Sequence, residues 1–151
     1  MAPTDADGRA DTSFLSGGHD NAMRTPPSEG AFASIRQLVE QFEGRVWLVS
    51  KCGDKIQQRS KAWLRFQDFH RQTGVPAGNV RFCKRRQDKR IHANQLNLTH
   101  FIDDRVDVLR HLRGRVDHMY LFGNQKRGRA IPDWVTHTLD WAAVMRELAQ
   151  A

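Results

Sequence analysis

Apolar residues along the chain follow two alternating spacings. Over residues 31–43 they recur every three or four positions, which predicts an amphipathic helix ending at Gly44. The next segment, residues 45–50, is a continuous apolar run rich in β-branched residues. Such a run predicts a strand that is buried on both faces, as in a parallel sheet.

The same two spacings continue to the end of the chain. Further helices are predicted over residues 54–73, 89–97, 104–113 and 134–148, and further strands over 80–83, 98–102 and 118–122. Strict alternation of helix and strand predicts an α/β fold, a Rossmann-like three-layer sandwich with a mostly parallel sheet and helices on both faces. The chain is too short for a barrel of eight such repeats.

Residues 1–27 differ from the rest in composition. They are rich in Asp, Gly, Ser, Thr and Pro and carry a net charge of −2, although the whole chain carries +7. This composition predicts a flexible N-terminal loop over residues 1–27, followed by one α/β domain over residues 28–151.

Composition narrows the class of protein. Hydrophobic residues make up 39% and charged residues 27%, which is typical of a globular domain. We expect no membrane association, because no apolar run reaches about 18 residues. With no apolar leader and two cysteines, Cys52 and Cys83, the expected location is the reducing cytoplasm.

Positive charge is concentrated in three segments, residues 84–90, 110–115 and 126–129. They allow two interpretations, a solvated surface or a site for an anionic partner such as nucleic acid. The large aromatic residues favour the first interpretation, because they fall on predicted buried faces and not on a surface where they could stack on nucleobases. They are Trp47, Trp63, Phe82, Trp134 and Trp141.

Two adjacent carboxylates, Asp103 and Asp104, follow the predicted strand 98–102. They are therefore predicted at the carboxyl end of a strand, where open α/β sheets bind ligands. Paired carboxylates suit magnesium, which takes one or two protein carboxylates and keeps waters for a phosphate substrate. The alternative is that Asp104 caps the next helix and Asp103 is solvated loop.

Four short motifs occur in order along these elements. They are Asp-Ala-Asp-Gly at residues 5–8, an apolar strand ending in Ser50, Lys89 before the third strand, and the apolar strand ending in Asp103 and Asp104. Over nearly its whole length the chain resembles the haloacid dehalogenase-like (HAD) phosphohydrolases. The resemblance implies a magnesium-dependent phosphomonoester hydrolase without a cap domain, acting on a phosphorylated substrate.

The resemblance also implies a role for each motif residue. Asp5 would be the nucleophile that forms an aspartyl-phosphate, and Asp7 the general acid and base. Ser50 would donate a hydrogen bond to the phosphoryl group, and Lys89 would balance negative charge. The implied magnesium ligands are Asp5, Asp7, Asp103 and Asp104.

The first motif departs from the family pattern. Only four residues precede Asp5, too few for the buried strand that should carry it, and Arg9 stands where a small residue or Thr is usual. Either the chain begins upstream of Met1 or the N-terminal strand is truncated. The second case favours another function, a catalytically impaired HAD-like domain that binds an anionic partner, nucleic acid included, through its basic loops.

Overall fold

The computed structural model describes residues 13–149. These residues form two compact units, an N-terminal unit (residues 13–84) and a C-terminal unit (residues 85–149). Both units are α/β, and every strand pair in them is parallel. The predicted α/β class and the parallel pairing are therefore confirmed, although the described strands form two sheets instead of one.

The N-terminal unit packs helices beside a two-stranded sheet. Its elements are α1 (Ser13–Ser16), α2 (His19–Met23), α3 (Ala31–Gln41), β1 (Leu48–Lys51), α4 (Asp54–Phe66), α5 (Phe69–Thr73) and β2 (Val80–Cys83). Strand β1 pairs with β2 from Leu48 opposite Val80 to Lys51 opposite Cys83. Phe69 forms the centre of the helical core and meets the Phe32 ring edge to face at 5.3 Å.

Helix α4 holds the stretch that precedes α3. The buried Arg59 guanidinium donates to the carbonyls of Phe14 at 2.9 Å and Leu15 at 3.2 Å. Trp63 Nε1 donates to the Thr25 carbonyl at 2.8 Å. Short helices α1 and α2 thus lie where the sequence predicted a loop, because side chains distant in sequence satisfy their backbone groups.

The C-terminal unit contains a three-stranded parallel sheet in the order β3-β4-β5. Its elements are a 3₁₀ turn (Arg86–Asp88), α6 (Lys89–Leu96), β3 (His100–Asp103), α7 (Val106–His111), β4 (His118–Phe122), β5 (Thr136–Thr138) and α8 (Trp141–Leu148). The core contains fully buried aliphatic side chains from β4 and the flanking helices. They include Val108, Leu109, Leu121, Val144 and Leu148.

Three predicted elements are corrected. Strand β1 is shorter than the predicted 45–50 segment and only half-buried. The predicted helix 54–73 is broken into α4 and α5 at Asp68, which adopts a left-handed conformation with φ of 55°. Asp tolerates that conformation better than most residues, so apolar spacing gave no sign of the break.

The last predicted helix is also wrong in its first half. Residues 136–138 form β5, and α8 starts only at Trp141. Thr138 is fully buried and its hydroxyl donates to the Leu121 carbonyl at 3.3 Å. Phe66 and Leu139 belong to the apolar pattern from which the helices 54–73 and 134–148 were predicted, yet they are 64% and 60% exposed.

Within residues 13–149, no helix has both the length and the apolar character that crossing a bilayer requires.

Candidate functional site

A buried ion pair lies at the carboxyl end of β3. Lys89 Nζ donates to Asp103 Oδ2 at 2.8 Å, and the two residues are only 8% and 4% exposed. The residues are 14 positions apart in sequence, Lys89 at the start of α6 and Asp103 at the end of β3. The structure therefore brings together the lysine and the first acid of two separate motifs.

The backbone after β3 fixes the orientation of the Asp103 carboxylate. The Arg105 N–H donates to Asp103 Oδ1 at 3.0 Å, so each carboxylate oxygen has a donor. Asp103 thus receives one charged and one neutral hydrogen bond, the compensation that a buried carboxylate requires.

The alternative interpretation of the two acids is wrong. Asp103 is buried rather than solvated loop. The N-cap of α7 is Arg105, with no side-chain capping bond, so Asp104 does not cap that helix.

Asp104 directly follows Asp103 and lies beside the pair. Burial raises the pKa of its carboxyl group, and the neighbouring Asp103 charge raises that pKa further, while Arg105 opposes both. When Asp104 is ionised, its charge repels that of the neighbouring Asp103. A cation bound here would reduce that repulsion.

The donor chemistry of these acids fits magnesium. Both side chains offer only carboxylate oxygens, the ligand type that hard divalent cations prefer, and each oxygen has more than one lone pair. Within residues 13–149 no group of three or more His, Cys, Asp or Glu side chains could hold a metal by itself. The other predicted ligands, Asp5 and Asp7, lie outside the described residues.

Ser50 belongs to the N-terminal unit, in β1 one residue before the end of the strand. Its side chain is hydrogen-bonded to the Cys52 thiol, whose pKa is raised by burial and lowered by this bond. Cys83 Sγ lies 3.7 Å from the Ser50 carbonyl oxygen. Both cysteines are buried and lie close to this strand end.

The turn that carries Lys89 is tied to the helix that follows Asp103. Arg86 in the 3₁₀ turn donates to Asp107 Oδ2 in α7 at 3.0 Å. Arg85 forms two hydrogen bonds with Asp88 at 3.0 and 3.2 Å. These contacts hold both ends of the Lys89–Asp103 pair, and neither was identified from the sequence, since basic runs carry no partner information.

Gln125 is a further residue that sequence reasoning missed. Its side-chain amide donates to the carbonyls of Asp104 and Phe122, both at 3.3 Å. It thereby links the loop after β4 to the loop after β3, at the same edge of the sheet as the ion pair. Its only sequence signal is its place just after Gly123, which ends the β4 segment.

Two histidines stack at the opposite, amino end of the sheet. His100 and His118 lie opposite each other on β3 and β4, with ring centroids 4.5 Å apart. Burial lowers the pKa of His100, and the neighbouring His118 lowers it further. The folded protein therefore binds a proton at His100 less readily than the unfolded chain does.

This difference predicts a pH dependence of stability. The contribution of neutral His100 is present above the ordinary histidine pKa of about 6.5. It is lost as pH falls through the lower folded-state pKa, because the unfolded chain takes up the proton first. We expect His100→Phe to flatten the fall in stability between pH 7.5 and 5, measured by urea denaturation. His111→Phe, at an exposed position, is the control; equal slopes in both variants would contradict the assignment.

Comparison with known proteins identified no relative. No family model matches the sequence, and searches of curated proteins and of solved structures each returned no match.

Proposed function

We propose that the protein is a magnesium-dependent phosphomonoester hydrolase of the HAD type. One observation carries the proposal: Lys89 and Asp103 form a buried ion pair beside Asp104, at the carboxyl end of a parallel strand. In an α/β sheet this edge is where ligands bind. The pair also unites the third and fourth motifs of the family that the sequence resembles.

The charges at this edge suit phosphoryl transfer. A buried lysine at this edge can offset negative charge as it develops on a transferring phosphoryl group. The fixed Lys89 and Asp103 side chains need little reorganisation during reaction, because each already has its partner within hydrogen-bonding distance. Rigid positioning of this kind supplies much of the catalysis of phosphoryl transfer.

Magnesium would be held by Asp103 and Asp104, together with Asp5 and Asp7 of the N-terminal motif. When bound, it would neutralise the acidic cluster and polarise the phosphoryl group. Side chains of the protein would supply the nucleophile, the general acid and base, and a hydrogen bond to the substrate. Asp5 would attack phosphorus, Asp7 would protonate the leaving oxygen and then activate water, and Ser50 would donate a hydrogen bond to a phosphoryl oxygen.

The parallel strands of the C-terminal unit support the HAD-type part of the proposal. Strands β3, β4 and β5 run in one direction, and a helix follows both β3 and β5. This order is compatible with a Rossmann-like sandwich, and the HAD type is the finer assignment that we propose.

A second function, anion binding without turnover, is favoured by one group of arginines. Arg90 donates to the carbonyls of His111 and Arg113, and Arg115 donates to the Asn94 carbonyl and the Asn97 side chain. Arg113 lies over the Trp134 ring at 4.7 Å. Bonds to neutral oxygens leave the charge of Arg90 and Arg115 unneutralised and available to an anion. Tight oligonucleotide binding at physiological salt, with a steep salt dependence and no hydrolysis, would favour this function.

Removal of magnesium tests the first function. We expect the protein to release phosphate from p-nitrophenyl phosphate with magnesium present and to fall to the no-enzyme rate after chelation with EDTA. Added magnesium should restore the rate, because the protein itself is unchanged. Calcium, which prefers more ligands and a larger site, is the matched control cation. Phosphate release that is unaffected by EDTA would contradict the magnesium-dependent mechanism.

A further inference from the structure

We propose that residues 126–129, Lys-Arg-Gly-Arg, bind a second phosphate group of the substrate; we name them the basic turn. The inference rests on the proposed function, because it assigns a substrate class to the same site. It makes the preferred substrate a phosphomonoester that carries another phosphate beyond the one removed.

The basic turn begins next to a residue that contacts the loop after β3. Gln125 directly precedes it and donates to the Asp104 carbonyl at 3.3 Å. The same amide donates to Phe122 at 3.3 Å and lies 3.5 Å from the Gly123 carbonyl. His137 on β5 is hydrogen-bonded to that Gly123 carbonyl at 2.7 Å. The loop therefore starts beside the acidic residues, tied to three neighbouring segments of the unit.

The basic turn is closed by a backbone hydrogen bond. The Arg129 N–H donates to the Lys126 carbonyl at 3.2 Å, which closes a four-residue turn. Gly128 has a φ of 77°, the left-handed conformation found at the third residue of type II turns. A closed turn brings its first and last residues side by side, so the Lys126 and Arg129 side chains leave the same small area.

The basic turn carries exposed positive charge. All four residues of the basic turn are exposed, and residues 123–132 include no acid. Within the described part of the chain Lys126 and Arg129 form no ion pair with a carboxylate. The like charges of Lys126 and Arg129, at the two ends of one turn, repel each other, and a bound anion would relieve that repulsion.

The two charge groups at this edge therefore have different roles. The Lys89, Asp103 and Asp104 group suits a cation with the phosphate that is cleaved, as proposed above. The basic turn has no acid to hold a metal and suits an anionic group of its own. A substrate with two phosphates matches both groups, whereas a monophosphate leaves the basic turn without its ligand.

The test compares a monophosphate with bisphosphates whose two phosphate groups are separated by two, three or six carbons. Propyl phosphate and the bisphosphates of ethane-, propane- and hexanediol are supplied to the wild type with magnesium, and kcat/KM is measured for each. We expect at least one bisphosphate to be preferred roughly tenfold, since each exposed ion pair adds up to about 1 kcal/mol. The preference should shrink at high salt, because exposed charges are screened.

The double variant Lys126→Gln/Arg129→Gln should lose that preference. Arg110→Gln/Arg146→Gln removes the same charge from exposed positions in the last turns of α7 and α8, and it should keep the preference. Equal kcat/KM for mono- and bisphosphates in the wild type, or a preference that survives in the basic-turn variant, would overturn the inference.

A binding measurement separates this inference from the proposed function. Isothermal titration calorimetry with propyl phosphate and each of the three bisphosphates is done on the same proteins. If hydrolysis is absent but the wild type binds a bisphosphate more tightly and the basic-turn variant does not, the hydrolase proposal fails while the basic turn is supported as a phosphate site. If hydrolysis is present and binding shows no such difference, the basic turn is not a phosphate site.

Discussion

Replacing Lys89 with methionine should lower the free energy of unfolding of the C-terminal unit by about 3–5 kcal/mol. Methionine is similar in length but carries no charge, so Asp103 would remain buried with its Oδ2 atom facing an apolar side chain. The loss of one partner of a buried pair is costly because the other charge stays desolvated. Amide hydrogen exchange of β3 and β4 reports the stability of this unit separately from the other.

Two further variants show whether burial of the ion pair causes the loss of stability expected in Lys89→Met. Arg86→Met breaks the half-exposed bond to Asp107 and should cost at most about 1 kcal/mol. Lys89→Met/Asp103→Leu removes both charges and should recover much of the stability that the single variant loses. A Lys89→Met variant as stable as Arg86→Met would show that the pair is not buried as described.

The sequence predicted elements best where a strong pattern agreed with local chemistry. Strands β2 and β4 lie where they were predicted, over residues 80–83 and 118–122. Both are short apolar runs ended by a polar or glycine residue, and the pattern contains all the information needed. Helix α3 likewise starts at Ala31 as predicted.

Sequence patterns failed where structure depended on partners distant in the chain. Strand β5 has three residues and exists because its backbone pairs with β4, from Tyr120 opposite Thr136 onward. Flanking apolar residues, among them Trp134 and Leu139, fitted helical spacing equally well. Periodicity alone cannot decide between a short strand and a helix start when the deciding hydrogen bonds are non-local.

In the candidate site, too, features set by the local sequence were predicted and features set by distant partners were not. The position of Asp103 at the end of β3 followed from the apolar run before it. The pairing of Lys89 with Asp103 could not be predicted in this way. Several basic residues surround Lys89 in sequence, and only the fold determines which of them is buried. Arg85 and Arg86 pair with Asp88 and Asp107 instead. The place of Gln125 just after Gly123 was too weak a signal, since an amide in a loop has many possible roles.

Asp5→Asn should lower magnesium-dependent phosphate release by at least about 10³-fold, to the no-enzyme rate. An amide is a poor nucleophile, and loss of the nucleophile removes the step on which the proposed reaction depends. Asp20→Asn is the matched control, because it makes the same change at an exposed acid in α2. If Asp5→Asn retains full activity, the nucleophile assignment is wrong.

Asp103→Asn should cause a comparable loss for a different reason. The amide would weaken the proposed magnesium binding, and it leaves the buried Lys89 without its counter-charge. Because this variant is also expected to be less stable, its fold is checked by hydrogen exchange before its rate is measured. Asp117→Asn, at an exposed acid in the same unit, should keep the wild-type rate. A folded Asp103→Asn protein with the wild-type rate would remove Asp103 from the site.

We propose that the N-terminal motif and the acids after β3 bind one cation. Iron(II) with ascorbate tests it directly, because an iron ion bound in place of magnesium generates radicals that cut the nearest backbone. We predict cuts near both residues 5–7 and residues 103–104, suppressed together by excess magnesium and absent in Asp103→Asn. Cuts near residues 103–104 alone, with the N-terminal motif intact, would contradict the shared site and with it the proposed hydrolase.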